Sequence, residues 1–117
     1  MTRDEFDAFC RSLPAVSHVV QWGGASVWKV GGKIFAICSN WGDGDHPKIS
    51  FKCSDMSYAV LRERDGIIPA PYLARAQWVQ IEYPTAMSSA DIKLYIQEAH
   101  RIITGKLSRA KRRELGL

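Results

Sequence analysis

Ala25-Ser26-Val27-Trp28-Lys29-Val30-Gly31-Gly32-Lys33-Ile34-Phe35-Ala36-Ile37-Cys38-Ser39 is the stretch that decides the fold. Two runs rich in β-branched and aromatic residues flank a Gly-Gly pair. Such a pair between such runs is a two-residue hairpin turn, because its positive φ angles suit glycine. The stretch therefore reads as two antiparallel strands, Ala25–Val30 and Lys33–Ser39. A regular register sets Trp28 opposite Phe35 and Ser26 opposite Ile37 on one side, with Val27 and Ala36 on the other beside Lys29 and Ile34. Both sides carry apolar residues, so the pattern leaves the inward side of the hairpin open.

Outward from the hairpin the pattern alternates between helix and strand. Residues 40–47 are turn-rich. Residues 48–53 alternate Ile49, Phe51 and Cys53 against Lys48, Ser50 and Lys52, as a half-buried strand with a cationic outer face does. Ser54 or Asp55 caps a helix over about 56–64 that ends at Asp65-Gly66. Ile67-Ile68-Pro69-Ala70-Pro71-Tyr72 is extended, since proline suits neither a helix interior nor a central strand. Residues 78–83 alternate again and stop at Pro84.

Upstream, Thr2-Arg3-Asp4-Glu5 forms a capping box, and Phe6, Phe9, Cys10 and Leu13 fall on one helical stripe over 3–13. Pro14 ends it, and His18 falls in the loop that follows. Downstream, Ser88 or Ser89 opens a helix over 90–104 with Ile92, Tyr95, Ile96, Ala99 and Ile103 on one face. Residues 107–115 suit a further short helix capped by Ser108. The order is α-β-β-β-α-β-α. That order predicts an α+β fold, with an antiparallel sheet, helices on one face and the other face open to solvent.

The chain has 117 residues with 46% hydrophobic and 24% charged, the composition of one globular domain. No apolar run reaches the roughly 20 residues of a membrane helix, and the acidic amphipathic start is unlike a signal peptide. No membrane association is expected. Cys10, Cys38 and Cys53 are odd in number, lack C-x-x-C spacing and lie in apolar patterns, which points to buried thiols in the cytoplasm.

The net charge of +4 is unevenly placed. Arg101, Lys106, Arg109, Lys111, Arg112 and Arg113 face Glu114 alone in the last 17 residues, while residues 1–100 hold 10 Lys+Arg and 11 Asp+Glu. The body is near neutral and the tail is basic. On a helix Arg109, Arg112 and Arg113 share a face, a pattern suited to phosphate contact without base readout.

Catalytic and metal motifs fare worse. Gly31-Gly32-Lys33 lacks the upstream glycine, the following hydroxyl and the helix of a phosphate loop. Asp43-Gly44-Asp45-His46 holds three ligand-type side chains but falls short of a calcium loop and reads as a solvated turn. His18 and His100 have no nucleophile or carboxylate partner in sequence, and no nucleophile elbow, H-E-x-x-H pair or cofactor fingerprint occurs. No catalytic residue, metal or cofactor is expected.

Several runs together resemble the MmcQ/YjbR family. They are Phe9-Cys10-Arg11-Ser12-Leu13-Pro14, Val27 to Ala36, Ile49-Ser50-Phe51-Lys52-Cys53, Gly66-Ile67-Ile68-Pro69-Ala70-Pro71-Tyr72-Leu73 and Trp78-Val79. The resemblance implies a CyaY-like, frataxin-type two-layer sandwich over residues 1–105, with 106–117 as a basic tail. It also implies non-enzymatic DNA binding by a double-wing arrangement of β elements. Lys29, Lys33, Lys48, Lys52, Lys106, Arg109, Lys111, Arg112 and Arg113 are then the expected phosphate contacts. The alternative is a protein-interaction or small-ligand module on the open sheet face, using Trp28, Phe35, Trp41 and Trp78.

Overall fold

A computed structural model describes residues 1–42 and 44–117. Six antiparallel strands make one sheet: β1 Val16–Gln21, β2 Ala25–Val30, β3 Lys33–Ser39, β4 Lys48–Lys52, β5 Ile67–Pro69 and β6 Trp78–Ile81. Their order across the sheet is β1-β2-β3-β4-β6-β5. The helices are α1 Arg3–Arg11, α2 Asp55–Leu61, α3 Ser89–Gly105 and α4 Arg109–Glu114. The capping box at Thr2 and Glu5 forms, and Ser54, Ser88 and Ser108 each cap their helix as side-chain acceptors.

The predicted α+β class and antiparallel sheet are found, but the element order is not. Both edge strands, β1 and β5, lie where the sequence pattern predicts loop and extended chain. In β1 the adjacent Val19-Val20 pair breaks the alternation. In β5 the terminal Pro69 is tolerated because an edge strand has a side with no hydrogen-bonded neighbour. Helix α2 ends at Leu61, earlier than its periodicity suggests.

The hairpin register differs by one residue beyond Lys29. Trp28 pairs with Ala36, Val27 with Ile37 and Ser26 with Cys38, while Lys29 still pairs with Ile34. A β-bulge at Phe35 absorbs the extra residue. The bulge lets Phe35 and Ala36 both reach the helix-side core, where each is fully buried. It thereby settles the open question of sidedness: Trp28 is inward.

The main core lies between this face and the helices. Phe6 and Cys10 of α1, Leu61 of α2 and Ile92, Ile96, Ala99 and Ile103 of α3 pack on Trp28, Cys38, Ile49, Phe51, Val79 and Ile81. Phe51 stacks on Tyr95 at 5.6 Å between ring centroids. Leu107 joins the same core, so the segment after Gly105 is docked on the body.

The opposite face is not open. Residues 70–77 fold back over it and form a second core, in which Ala25, Val27, Ile37, Ala70 and Trp78 pack with Leu73 and Trp41. The expected cationic outer face of β4 is therefore buried: Lys48 is 1% exposed and Lys52 6%. Lys48 Nζ donates to His46 O at 3.1 Å, and Lys52 Nζ donates to Ala76 O. Lys52 thus ties the covering segment to β4.

Burial lowers the Lys52 pKa, helped by nearby Lys106. A lysine whose folded pKa lies below its unfolded value is charged more readily in the unfolded chain. Between the two values the unfolded chain holds the extra proton, so stability rises with pH there. The stability of the wild type relative to Lys52→Met is thus expected to grow as pH climbs towards 10.5, the ordinary lysine value. Urea midpoints at successive pH values measure it, and a pH-independent difference is the contrary result.

Candidate functional site

Two surface features stand out, and they lie on different elements. The first is the basic end. Helix α4 starts after Leu107, whose side chain lies against the β2–β3 turn: a Cβ on Gly31 would come within 2.6 Å of it. Gly31 is at φ 59, so glycine is required there on both counts. This contact puts Lys33, exposed beside the turn, at the same end of the molecule as exposed Lys106. On α4, Arg109, Arg112 and Arg113 line a concavity of about 400 Å³ with Thr104 and Leu117. No acid is recorded within ion-pair distance of these arginines among the described residues; Lys111 has Glu114 at 3.7 Å. The hydroxyl of Thr104 is buried without a hydrogen-bond partner among the described residues.

The nine expected cations are thereby divided. Lys33, Lys106, Arg109 and Arg113 are exposed, Lys29, Lys111 and Arg112 are half-buried, and Lys48 and Lys52 are enclosed. The expected aromatic surface is divided more severely. Trp28, Phe35 and Trp78 are core residues, and of that set only Trp41 keeps some exposure.

The second feature is not predicted by the sequence pattern. Trp22, Trp41, Pro71, Tyr72 and Leu73 line an apolar cleft of about 650 Å³. Trp22 sits in the β1–β2 turn and is 50% exposed; Tyr72, in the covering segment, is fully exposed. The Trp41 indole donates to Trp22 O at 3.3 Å, and the two rings lie 6.1 Å apart at 48°. Trp22 and Tyr72 hold positive φ angles of 53° and 67°. Residues with a Cβ adopt such angles at a cost. An aromatic residue beside a Gly-Gly pair is the available signal for Trp22; nothing local in sequence marks Tyr72 as lining the same cleft.

The histidines have structural ties. His18 lies in β1, where its Nε2 meets Ser26 Oγ at 2.7 Å, and Ser26 donates to Asp7 Oδ1 at 2.5 Å. Trp28 Nε1 donates to the same oxygen at 2.9 Å. The serine proton is committed to the carboxylate, so His18 is the donor and not a base for Ser26. Ser26 is also fully buried. This network joins α1, β1 and β2. His100 donates from Nε2 to Pro14 O at 2.8 Å and meets Phe35 edge-on at 5.2 Å. His46 donates to Glu82 O.

Within Asp43-Gly44-Asp45-His46, Asp43 lies outside the described residues. Among the described residues no group of three metal-ligating side chains comes together. The cysteines are buried and unpaired with one another. Burial raises all three thiols, Cys38 to about 11 and Cys53 to about 12, so they are protonated at neutral pH. No described helix is long and apolar enough to cross a membrane.

Comparison with solved structures shows this fold elsewhere. A Deinococcus radiodurans protein with a DUF419 domain superposes with a TM-score of 0.86 at 22% identity, covering 99% of this chain and 88% of its own. A Pseudomonas syringae protein superposes with a TM-score of 0.73 at 17% identity, covering 88% of this chain and 99% of its own. At such identities the likeness is one of fold. No curated protein matches the sequence. The family model described as YjbR matches residues 11–102, which is most of the chain, and on that match this protein belongs to the MmcQ/YjbR family.

Proposed function

We propose that this protein is a non-enzymatic nucleic-acid-binding protein that holds the phosphate backbone of DNA at its basic end. The observation that carries the reading is the α4 concavity, which Arg109, Arg112 and Arg113 line together with no acid at ion-pair distance among the described residues. Arginine forks bind phosphate oxygens in pairs. Lys33 and Lys106 extend the surface toward the Gly31-Gly32 turn, which serves as a wing on a CyaY-like body. Lys48 and Lys52 are left out because both are enclosed, and Lys29, on β2, is not among the residues lining the α4 concavity. Contacts of this kind carry affinity and orientation without base preference.

The test is fluorescence anisotropy of a labelled duplex over a salt series. Five phosphate contacts give a slope of log K on log salt of about −4 to −5, so a fourfold salt increase weakens binding on the order of 500-fold. Replacing Arg109, Arg112 and Arg113 by Gln removes three of them and flattens the slope to about −2. Substitution is preferable to truncation at Gly105, since truncation also strips Leu107 from the core. A wild-type slope near zero, or an unchanged slope in the triple variant, overturns the reading.

A further inference from the structure

We propose that the cleft between Trp22, Trp41 and Tyr72 is a second, independent binding site that takes a neutral planar heteroaromatic ring, the chemistry of the base of a nucleoside. It does not depend on the basic end.

The lining decides the chemistry. Trp22, Trp41, Pro71 and Tyr72 present rings and Leu73 an aliphatic chain; among the described residues no aspartate, glutamate, lysine, arginine or histidine lines the cleft. A charged group entering it would lose hydration and meet no counter-charge. An uncharged ring loses little, and flat π-faces gain most from another flat ring in offset or edge contact. The Trp22 and Trp41 rings stand at 48° to each other, so neither stacks flat on the other. The volume of about 650 Å³ lies in the range of small-molecule sites.

The local backbone argues for a built feature. Trp22 and Tyr72 both adopt left-handed angles that glycine would take freely, and both expose aromatic surface to water. Gln77, which closes the covering segment, is left-handed too, at φ 63. Strained positions of this kind gather where the surrounding structure over-determines them for a purpose. Two anchors over-determine this one: the Trp41–Trp22 hydrogen bond and the Lys52 tie to Ala76.

A polyproline segment also docks on aromatic grooves, but it needs successive pockets along a ridge, roughly 9 Å apart for residues three positions apart. A single cleft lined by five residues suits one ring system. Because the described lining is neutral, the phosphate of a nucleotide adds nothing there. That separates this site from the arginine concavity.

The experiment uses the full chain, labelled with ¹⁵N, and follows the four tryptophan indole N–H signals while adenosine is added. The expected result is saturable shifts of Trp22 and Trp41, with buried Trp28 and Trp78 unmoved. Tyr72→Ala is expected to weaken binding about tenfold or more, the loss of one stacking partner. The triple Arg-to-Gln variant is expected to bind adenosine as the wild type does, and adenosine monophosphate to bind no more tightly than adenosine. Absence of saturable shifts at Trp22 and Trp41 overturns the proposal. So does a Tyr72→Ala variant with unchanged affinity, provided its remaining spectrum is that of the folded chain. A response of the same two indoles to a proline-rich peptide but not to adenosine overturns it as well and assigns the cleft to peptide.

Discussion

Trp28→Ala is expected to lower the unfolding free energy by about 3–5 kcal/mol, the range for removing a fully packed aromatic side chain. Trp28 is 2% exposed on the helix side of β2. Its ring has His18 at 4.4 Å and the Arg11 guanidinium at 5.2 Å, and its Nε1 donates to Asp7. Alanine would open a cavity under α1 and take from the Asp7 carboxylate one of its two recorded donors, leaving Ser26 alone. Domains of this size hold only about 5–15 kcal/mol in total, so the loss is a large fraction of the whole. Trp22→Ala provides the contrast. It removes a half-exposed ring from a turn and keeps the same backbone demand, so a change within about 0.5 kcal/mol is expected. Urea denaturation followed by circular dichroism compares the two. Equal losses would contradict the assignment of Trp28 to the core.

The contrast between those two tryptophans shows where sequence reasoning succeeds. Helices α1 and α3 were legible because capping serines and threonines and a 3.6-residue stripe agree with each other. The Gly31-Gly32 turn was legible because glycine pairs between strand-like runs have few other uses. Sidedness was not legible. A one-residue bulge at Phe35 shifts the pairing, and no local feature of Lys33-Ile34-Phe35-Ala36 announces it. The buried state of Lys48 and Lys52 was hidden for a different reason. Alternating Lys48-Ser50-Lys52 describes a solvent-facing side unless another segment covers it, and the cover comes from residues 70–77. That segment reads as a proline-marked loop, and nothing in its composition says which face it crosses.

The same logic divides the candidate sites. The basic helix was legible because charge clustering is a property of adjacent residues. The aromatic cleft is assembled from positions 22, 41 and 71–73, which only the tertiary fold brings together. Sequence groups Trp41 with Trp28 and Trp78 as one surface, whereas in the structure Trp41 packs beside Trp78 in the second core and turns its exposed part to the cleft it shares with Trp22 and Tyr72. Aromatic content alone could not separate core rings from cleft rings, since all four tryptophans lie in or beside strands.

Gly66→Ala is the second large effect, expected at about 2–5 kcal/mol of destabilisation. Gly66 turns the chain from α2 into β5 at φ 81, a conformation that costs an L-residue roughly 1–2 kcal/mol. A Cβ there would lie 2.6 Å from the Tyr83 ring, 2.7 Å from its hydroxyl oxygen and 2.8 Å from Ala86 Cβ. Overpacking of this kind adds about 1–3 kcal/mol. Tyr83 cannot easily swing aside, because its hydroxyl donates to Asp65 at 2.8 Å. Ala86 is held in turn by Arg64, which donates to its carbonyl at 3.2 Å. The strain would pass to Gly66 O, which accepts from Glu82 N at 2.8 Å and sets the Ile67–Ile81 register of β5 on β6. Gly105→Ala is expected to go the other way. Gly105 ends α3 outside the left-handed region, with nothing within 4 Å of its would-be Cβ. Alanine there reduces the freedom of the unfolded chain and should stabilise by about 0.4–1 kcal/mol. Urea midpoints for the two variants should therefore move in opposite directions from the wild type. If Gly66→Ala left the midpoint in place, the close packing of Tyr83 on the α2–β5 turn would be wrong.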